Sequence, residues 1–200
     1  MTAPAGAPAS YATAPPPRRG TADISAVSDL GEKARALLGP SPPAPKEFIG
    51  ALVAGNLFAD AVRFLAHALP RRECVWWAWV CARKAAGAEP PLPIQNALDA
   101  TERWIMQPTE EHRRAALQFG ELADFGTAAG CAALAAFMSG GSLAPPDAPP
   151  VPAGEFMTAK AVSGSVTLSA VSDADHADEK FAECINLGLE VADRTKLWGA

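Results

Sequence analysis

The four cysteines and three histidines are the residues of this chain with the chemistry to act as nucleophile, base or soft metal ligand. A Cys–His pair would make an activated thiolate, and a Cys/His cluster would hold zinc or an iron–sulfur centre. The spacing favours neither. There is no CxxC and no Cys/His ligand pattern. Cys74 and Cys81 stand two turns apart on one predicted helix, about 10 Å at 1.5 Å per residue, too far for a disulfide. Cys131 and Cys184 each stand alone, so all four are expected as small buried hydrophobes. Pairing Cys74 with His67 would join residues on adjacent helices, with no group nearby to activate the thiol. His67 faces away from the apolar side of its helix and is expected solvated or partly stacked. His112 is expected packed at a helix margin, and His176 exposed in an acidic stretch. Ser139-Gly-Gly-Ser142 follows a helix and has no lysine after its glycines, so it is a helix end rather than a phosphate cradle. The residues point to no catalytic centre, no metal and no cofactor, and the chain is expected not to be an enzyme.

The elements that would carry any other function read as helices. Apolar residues make up 49% of the chain, with alanine prominent and alternating strand-type runs missing. Arg71–Ala86, RRECVWWAWVCARKAA, is apolar nearly all round, with Pro70 before it and Gly87 after it. Cys74, Trp77, Ala78, Cys81 and Ala85 form one face and Val75, Trp76, Trp79 and Ala82 another. Such a helix must be wrapped by others, and Trp77 with at least one of Trp76 and Trp79 is expected buried. Further helices are predicted at 21–38, 46–54, 57–69, 94–106, 109–123, 128–138, 155–171 and 175–197. Gly130, Gly164 and Gly188 fall inside three of these, where each costs about 1 kcal/mol against alanine, and close helix–helix approach is the expected compensation. The fold class is all-α: an irregular, repeat-like stack of antiparallel helical hairpins with about eight or nine helices. Residues 1–20 read as an Ala/Pro-rich disordered tail, 21–197 as one domain, and 139–154 as a long Pro/Gly loop.

Net charge −5 argues against nucleic acid, which needs a clustered basic surface. The charge is uneven. Asp173–Glu190 is acidic, while Arg71, Arg72, Arg83, Lys84, Arg113 and Arg114 lie mid-chain; solvated faces, internal pairing, or a basic patch for an acidic partner all fit. The start carries no signal-peptide pattern. The longest uncharged run, 126–146, has an apolar centre of about a dozen residues where a span needs about 20. A cytoplasmic protein is expected.

Three segments carry a resemblance: FLAHALPRRECVWWAWVCAR (Phe64–Arg83), ALDATERWIMQPTEEHRRAA (Ala97–Ala116) and FGTAAGCAALAAFMSGGSLAPPDAPPVPA (Phe125–Ala153). On them, the stretch from Phe64 through Val171 resembles an uncharacterised family of bacterial helical domains. The third segment is the most specific. Cys131 departs from the pattern, which usually has Trp or another large residue there. The resemblance implies a setting in type VI secretion gene neighbourhoods, where small accessory and adaptor proteins are common. The order CVWWAWVCAR…ALDATERW also looks like helical immunity proteins of bacterial toxin systems. Neither likeness implies a catalytic residue.

The expected function is therefore a protein-interaction module: a secretion accessory or adaptor, or alternatively an immunity-type inhibitor of a toxin. Its partner is another protein. Long loops on rigid scaffolds are where binding concentrates, and proline lowers the entropy cost of fixing one on a partner. The candidate binding residues are Leu143, Pro145, Pro146, Asp147 and Val151 of the loop, with Trp76 as an aromatic anchor beside Arg72 and Arg83. The same loop could instead pack over its own domain.

Overall fold

The computed structural model describes residues 19–198. Among them are ten α-helices, one short 3-10 turn and no strand. The helices are α1 (Thr21–Val27), α2 (Glu32–Ala36), α3 (Pro45–Ala54), α4 (Phe58–Ala68), α5 (Arg71–Ala86), α6 (Leu92–Met106), α7 (Glu110–Leu122), α8 (Ala128–Phe137), α9 (Met157–Ala170) and α10 (Ala177–Arg194). The fold is an all-α bundle. No helix among the described residues is long and apolar enough to cross a membrane.

Most element ends follow local chemistry. Thr109 and Thr127 accept hydrogen bonds from the amides of His112 and Gly130, opening α7 and α8. Pro93 sits in the first turn of α6, where its missing N–H is no loss. Gly87, at φ +75°, ends α5. One predicted helix is two. The chain breaks at Asp29 (φ +50°) and restarts from Gly31, so residues 21–38 form α1 and α2. The break is held from outside, because the Asp60 carboxylate accepts the Gly31 amide at 2.9 Å. Of the expected tail, residues 1–18 lie outside the described residues. Arg19 and Gly20 join the folded body: Arg19 pairs with Glu155 at 3.3 Å, and Gly20 caps α1.

Helices α5, α8 and α9 form the centre. Helix α5 packs against α6, α8, α9 and α10, with α6 and α7 on one side and α4 and α10 on the other. Trp77 is completely buried, and its indole N–H donates to the Cys184 carbonyl at 2.7 Å. Trp76 and Trp79 are only half-buried, short of the expectation for one of them. Trp79 donates to the Leu98 carbonyl at 2.9 Å, and Trp76 lies beneath the Arg194 guanidinium. Ala85, assigned to the buried face, is exposed. Two of the three helix-interior glycines are close-approach points. A Cβ on Gly130 would lie 2.1 Å from the Asp124 carbonyl oxygen, and one on Gly188 would lie 2.6 Å from Leu65 and 2.7 Å from Trp77. Gly164 has ordinary space, its nearest neighbour being the Cys131 sulfur at 3.6 Å.

Candidate functional site

The basic residues of the middle segment are paired within the chain, Arg113 fully buried and Arg71 and Lys84 exposed. The last carbonyls of a helix lack intrahelical partners, and here arginines supply several. Arg72 donates to the Ile105 carbonyl near the end of α6 at 2.7 Å. Arg113, with a side chain 0% exposed, donates to the Phe137 carbonyl at the end of α8 at 2.6 Å and lies over the Phe137 ring. Arg71 reaches the Ser139 carbonyl at 3.1 Å, and Thr158 reaches that of Met138 at 3.0 Å. Arg83 binds Gln95 and Lys84 binds Glu183. Internal pairing thus accounts for the basic cluster. Cations at helix C-termini are favoured by the dipole as well as by the open carbonyls.

The same arginines grip the base of the 139–154 loop. Glu110 receives both Nε (2.7 Å) and Nη2 (2.8 Å) of Arg113, and also Nε of Arg114 (2.6 Å). This two-toothed carboxylate–guanidinium contact fixes the plane of the Arg113 fork. The fork then holds the Ser142 carbonyl at 2.7 Å, while Arg114 takes that of Ala144 at 3.0 Å. Gly141, at φ +65°, passes so close that a Cβ would lie 2.8 Å from both Arg113 Nε and Glu110 Oε2. No side chain fits there.

Beyond this grip the loop closes on itself. Ser142 and Pro152 form an isolated antiparallel bridge. The Leu143 amide donates to the Val151 carbonyl at 2.7 Å, and the Ser142 hydroxyl accepts the Val151 amide at 3.0 Å. A turn crosses the tip, with the Ala148 amide on the Pro145 carbonyl. Leu143 is half-buried at the base. Pro145, Pro146, Asp147 and Val151 are exposed, as is every residue from Pro145 to Pro152. The sequence-predicted site divides accordingly. Pro145, Pro146, Asp147 and Val151 lie in one exposed tip, and Leu143 at its base. Arg72, Arg83 and Trp76 are engaged within the chain.

The histidines and Cys74 are each engaged separately. His67 is buried, 8% exposed, which corrects the solvated option and leaves the stacked one: its ring lies 5.6 Å from that of Phe156. Its Nδ1 donates to the Arg63 carbonyl at 2.8 Å, and Nε2 is buried without a protein partner. Desolvation holds it below the ordinary histidine range. His112 donates to the Gln107 carbonyl, and His176 sits beside Asp173. Cys74 donates to the Ala66 carbonyl at 3.3 Å, and burial pushes its thiol up. The structure therefore does not bring Cys74 and His67 into a dyad. No group of three metal-ligating side chains gathers among the described residues. A hollow of about 280 Å³ lies where the α5–α6 turn meets the ends of α8 and α9, lined by Ala82, Ala86, Pro90, Ile94, Thr127 and Leu168 among others. No titratable side chain lines it.

Two arrangements escaped the sequence reading. The Glu110/Arg113/Arg114 grip had a local signal, since E-x-x-R-R places both cations within one turn of the carboxylate. The other had none. Cys184 is not alone: it neighbours Cys81 across α5 and α10, and the two thiols influence each other. That interaction holds Cys184 below an ordinary thiol and Cys81 well above.

No curated protein and no solved structure matches the chain. A family model does, over residues 48–192, spanning α4 to α9, the arginine grip and the proline tip. The chain belongs to the family of unknown function DUF6931.

Proposed function

We propose that this chain is a non-enzymatic protein-interaction module, an accessory or adaptor of a bacterial type VI secretion system acting in the cytoplasm, and that the Pro145–Pro152 tip is its binding element. One observation carries the reading: an exposed, proline-dense apolar run projects from a base gripped by buried arginine. Exposed apolar chain that its own fold leaves uncovered is suited to a partner. Chain fixed in advance loses less entropy on binding. Proline-dense segments of this kind are taken up by aromatic-lined grooves. The secretion setting comes from the family resemblance. An immunity-type inhibitor would call for a concentrated charged surface turned outward. Here Arg72 and Arg113 are spent on helix carbonyls inside the protein.

The test replaces Pro149 and Pro150 by serine and measures binding to type VI components co-produced with the full chain. The thermal midpoint should stay within about 2 °C of the parent, because exposed substitutions rarely change stability by more than about 0.5 kcal/mol. Affinity for a bound component should fall at least tenfold. Unchanged affinity, or no component bound by the parent, would overturn the proposal.

A further inference from the structure

Helices α5 and α10 run antiparallel in direct contact. Trp77 meets Gly188 and the Cys184 carbonyl at one level, and Lys84 meets Glu183 at 2.8 Å two turns further along α5. Chain numbers rise on one helix as they fall on the other. Positions 77, 81 and 84 share one face of α5, and 184 and 188 share one face of α10. Cys81 therefore falls between the two contact levels, opposite Cys184. The lack of a side chain at Gly188 leaves space that the Trp77 indole and Leu65 fill, with no room for even a methyl group. Both cysteines are free and buried, Cys81 at 1% and Cys184 at 7% exposed.

We propose that Cys81 and Cys184 form a redox modification site: a hydroperoxide converts the pair to a disulfide that staples α10 to α5. Cys184 is the attacking group. It is the more exposed of the two, and Lys84 and Lys180 stand near it, both bound to Glu183, whose carboxylate opposes them. Nearby cations favour the thiolate, which is the reactive form. The Cys184 thiolate attacks one peroxide oxygen. The O–O bond breaks, a hydroxide leaves, and a sulfenic acid remains on Cys184. Cys81 gives up its proton and attacks the Cys184 sulfur, the S–O bond breaks, and the second oxygen leaves as water. Two thiols and one peroxide yield one disulfide and two waters. Cys74 is not equivalent: two turns from Cys81, its thiol donates to the Ala66 carbonyl of α4. Cys131 donates to the Phe125 carbonyl at 2.9 Å. The site is separate from the proline tip, and its test does not depend on any partner.

The experiment treats the purified full chain with hydrogen peroxide, blocks remaining thiols, and maps peptides without reduction. The titratable thiols should fall from four to two, with the Cys81 and Cys184 peptides joined. Closing a loop of about 100 residues should raise the thermal midpoint by about 10 °C, reversibly with dithiothreitol. In Cys81→Ala, peroxide should leave a dimedone-reactive sulfenic acid on Cys184. If that variant fails to fold, the joined peptide in the parent chain still decides. Four persistent thiols, a link through Cys131 or between chains, or a lower midpoint after linking would each overturn the proposal.

Discussion

Single side chains in this protein are constrained chiefly by what lies across from them. Gly188→Ala would drive a methyl group into Leu65 and the fixed Trp77 indole. Overpacking of this kind costs about 1–3 kcal/mol, and the thermal midpoint should drop by several degrees. Gly50→Ala should do the opposite. That glycine is exposed in α3 with nothing within 4 Å, so the gain in helix propensity should stabilise by about 0.5–1 kcal/mol. A denaturant titration of the two variants side by side checks both signs. His67 supplies a pH dependence. Its folded pKa lies below 6.5, so as pH falls through 6.5 the unfolded chain gains a proton that the folded chain refuses. Stability present above pH 6.5 is lost progressively down to the folded pKa. Asp29 opposes this shift, while Lys160 and Arg19 reinforce it. His67→Gln should lose less stability than the parent between pH 7.5 and 5.5, measured by thermal melts. An equal loss would move the effect elsewhere.

At the scale of elements, the 139–154 loop and the end of α8 depend on α7. Arg113→Met keeps the length of the side chain and removes the fork. The Phe137 and Ser142 carbonyls then lose their guanidinium donor inside the protein. The expected cost is about 2–4 kcal/mol, the range for breaking a buried charged network. Amide exchange should speed up through residues 139–144 before the rest of the bundle is affected. Uniform exchange along the chain would show that the loop base is held in another way. Lys in place of Arg113 should rescue little, since one ammonium cannot reproduce a planar fork that serves a carboxylate and two carbonyls.

For the whole molecule, residues 48–192 match the family model, and α1 and α2 lie outside it, α1 packed on α4 and α2 tied to it through Gly31 and Asp60. A chain beginning at Arg19 should melt within about 2 °C of the full chain, because residues 1–18 have no apolar periodicity with which to offset ordering entropy. Removing residues 1–20 should cost slightly more, up to about 1 kcal/mol, since it also deletes the exposed Arg19–Glu155 pair. Calorimetry on the two truncations separates these outcomes. A large drop on removing residues 1–18 alone would show that they contribute to the core.

Local patterning in the sequence determined the helices. Apolar spacing, Thr109 and Thr127 as N-caps, and the proline and glycine punctuation are read over three to seven residues, so most ends of α3 to α9 were legible to within two residues. The central burial of Trp77 followed from a helix too apolar to stand at a surface. Tertiary structure decided what local patterning cannot express. Asp60 breaks the first predicted helix from 29 positions away. His67 looked solvent-facing because its own helix ranks it polar, yet Phe156 covers it from a segment nearly ninety positions later. The arginines of the middle segment could all have faced water; helix ends arriving from 24 to 33 positions away turned Arg72 and Arg113 inward. Cys81 and Cys184 come side by side only because α10, more than a hundred positions later in the chain, docks on α5 with the Trp77 indole seated against Gly188 and the Cys184 carbonyl. The apolar loop itself was plain in the composition. That its base is gripped while its tip stays exposed depended on where α7 places Arg113.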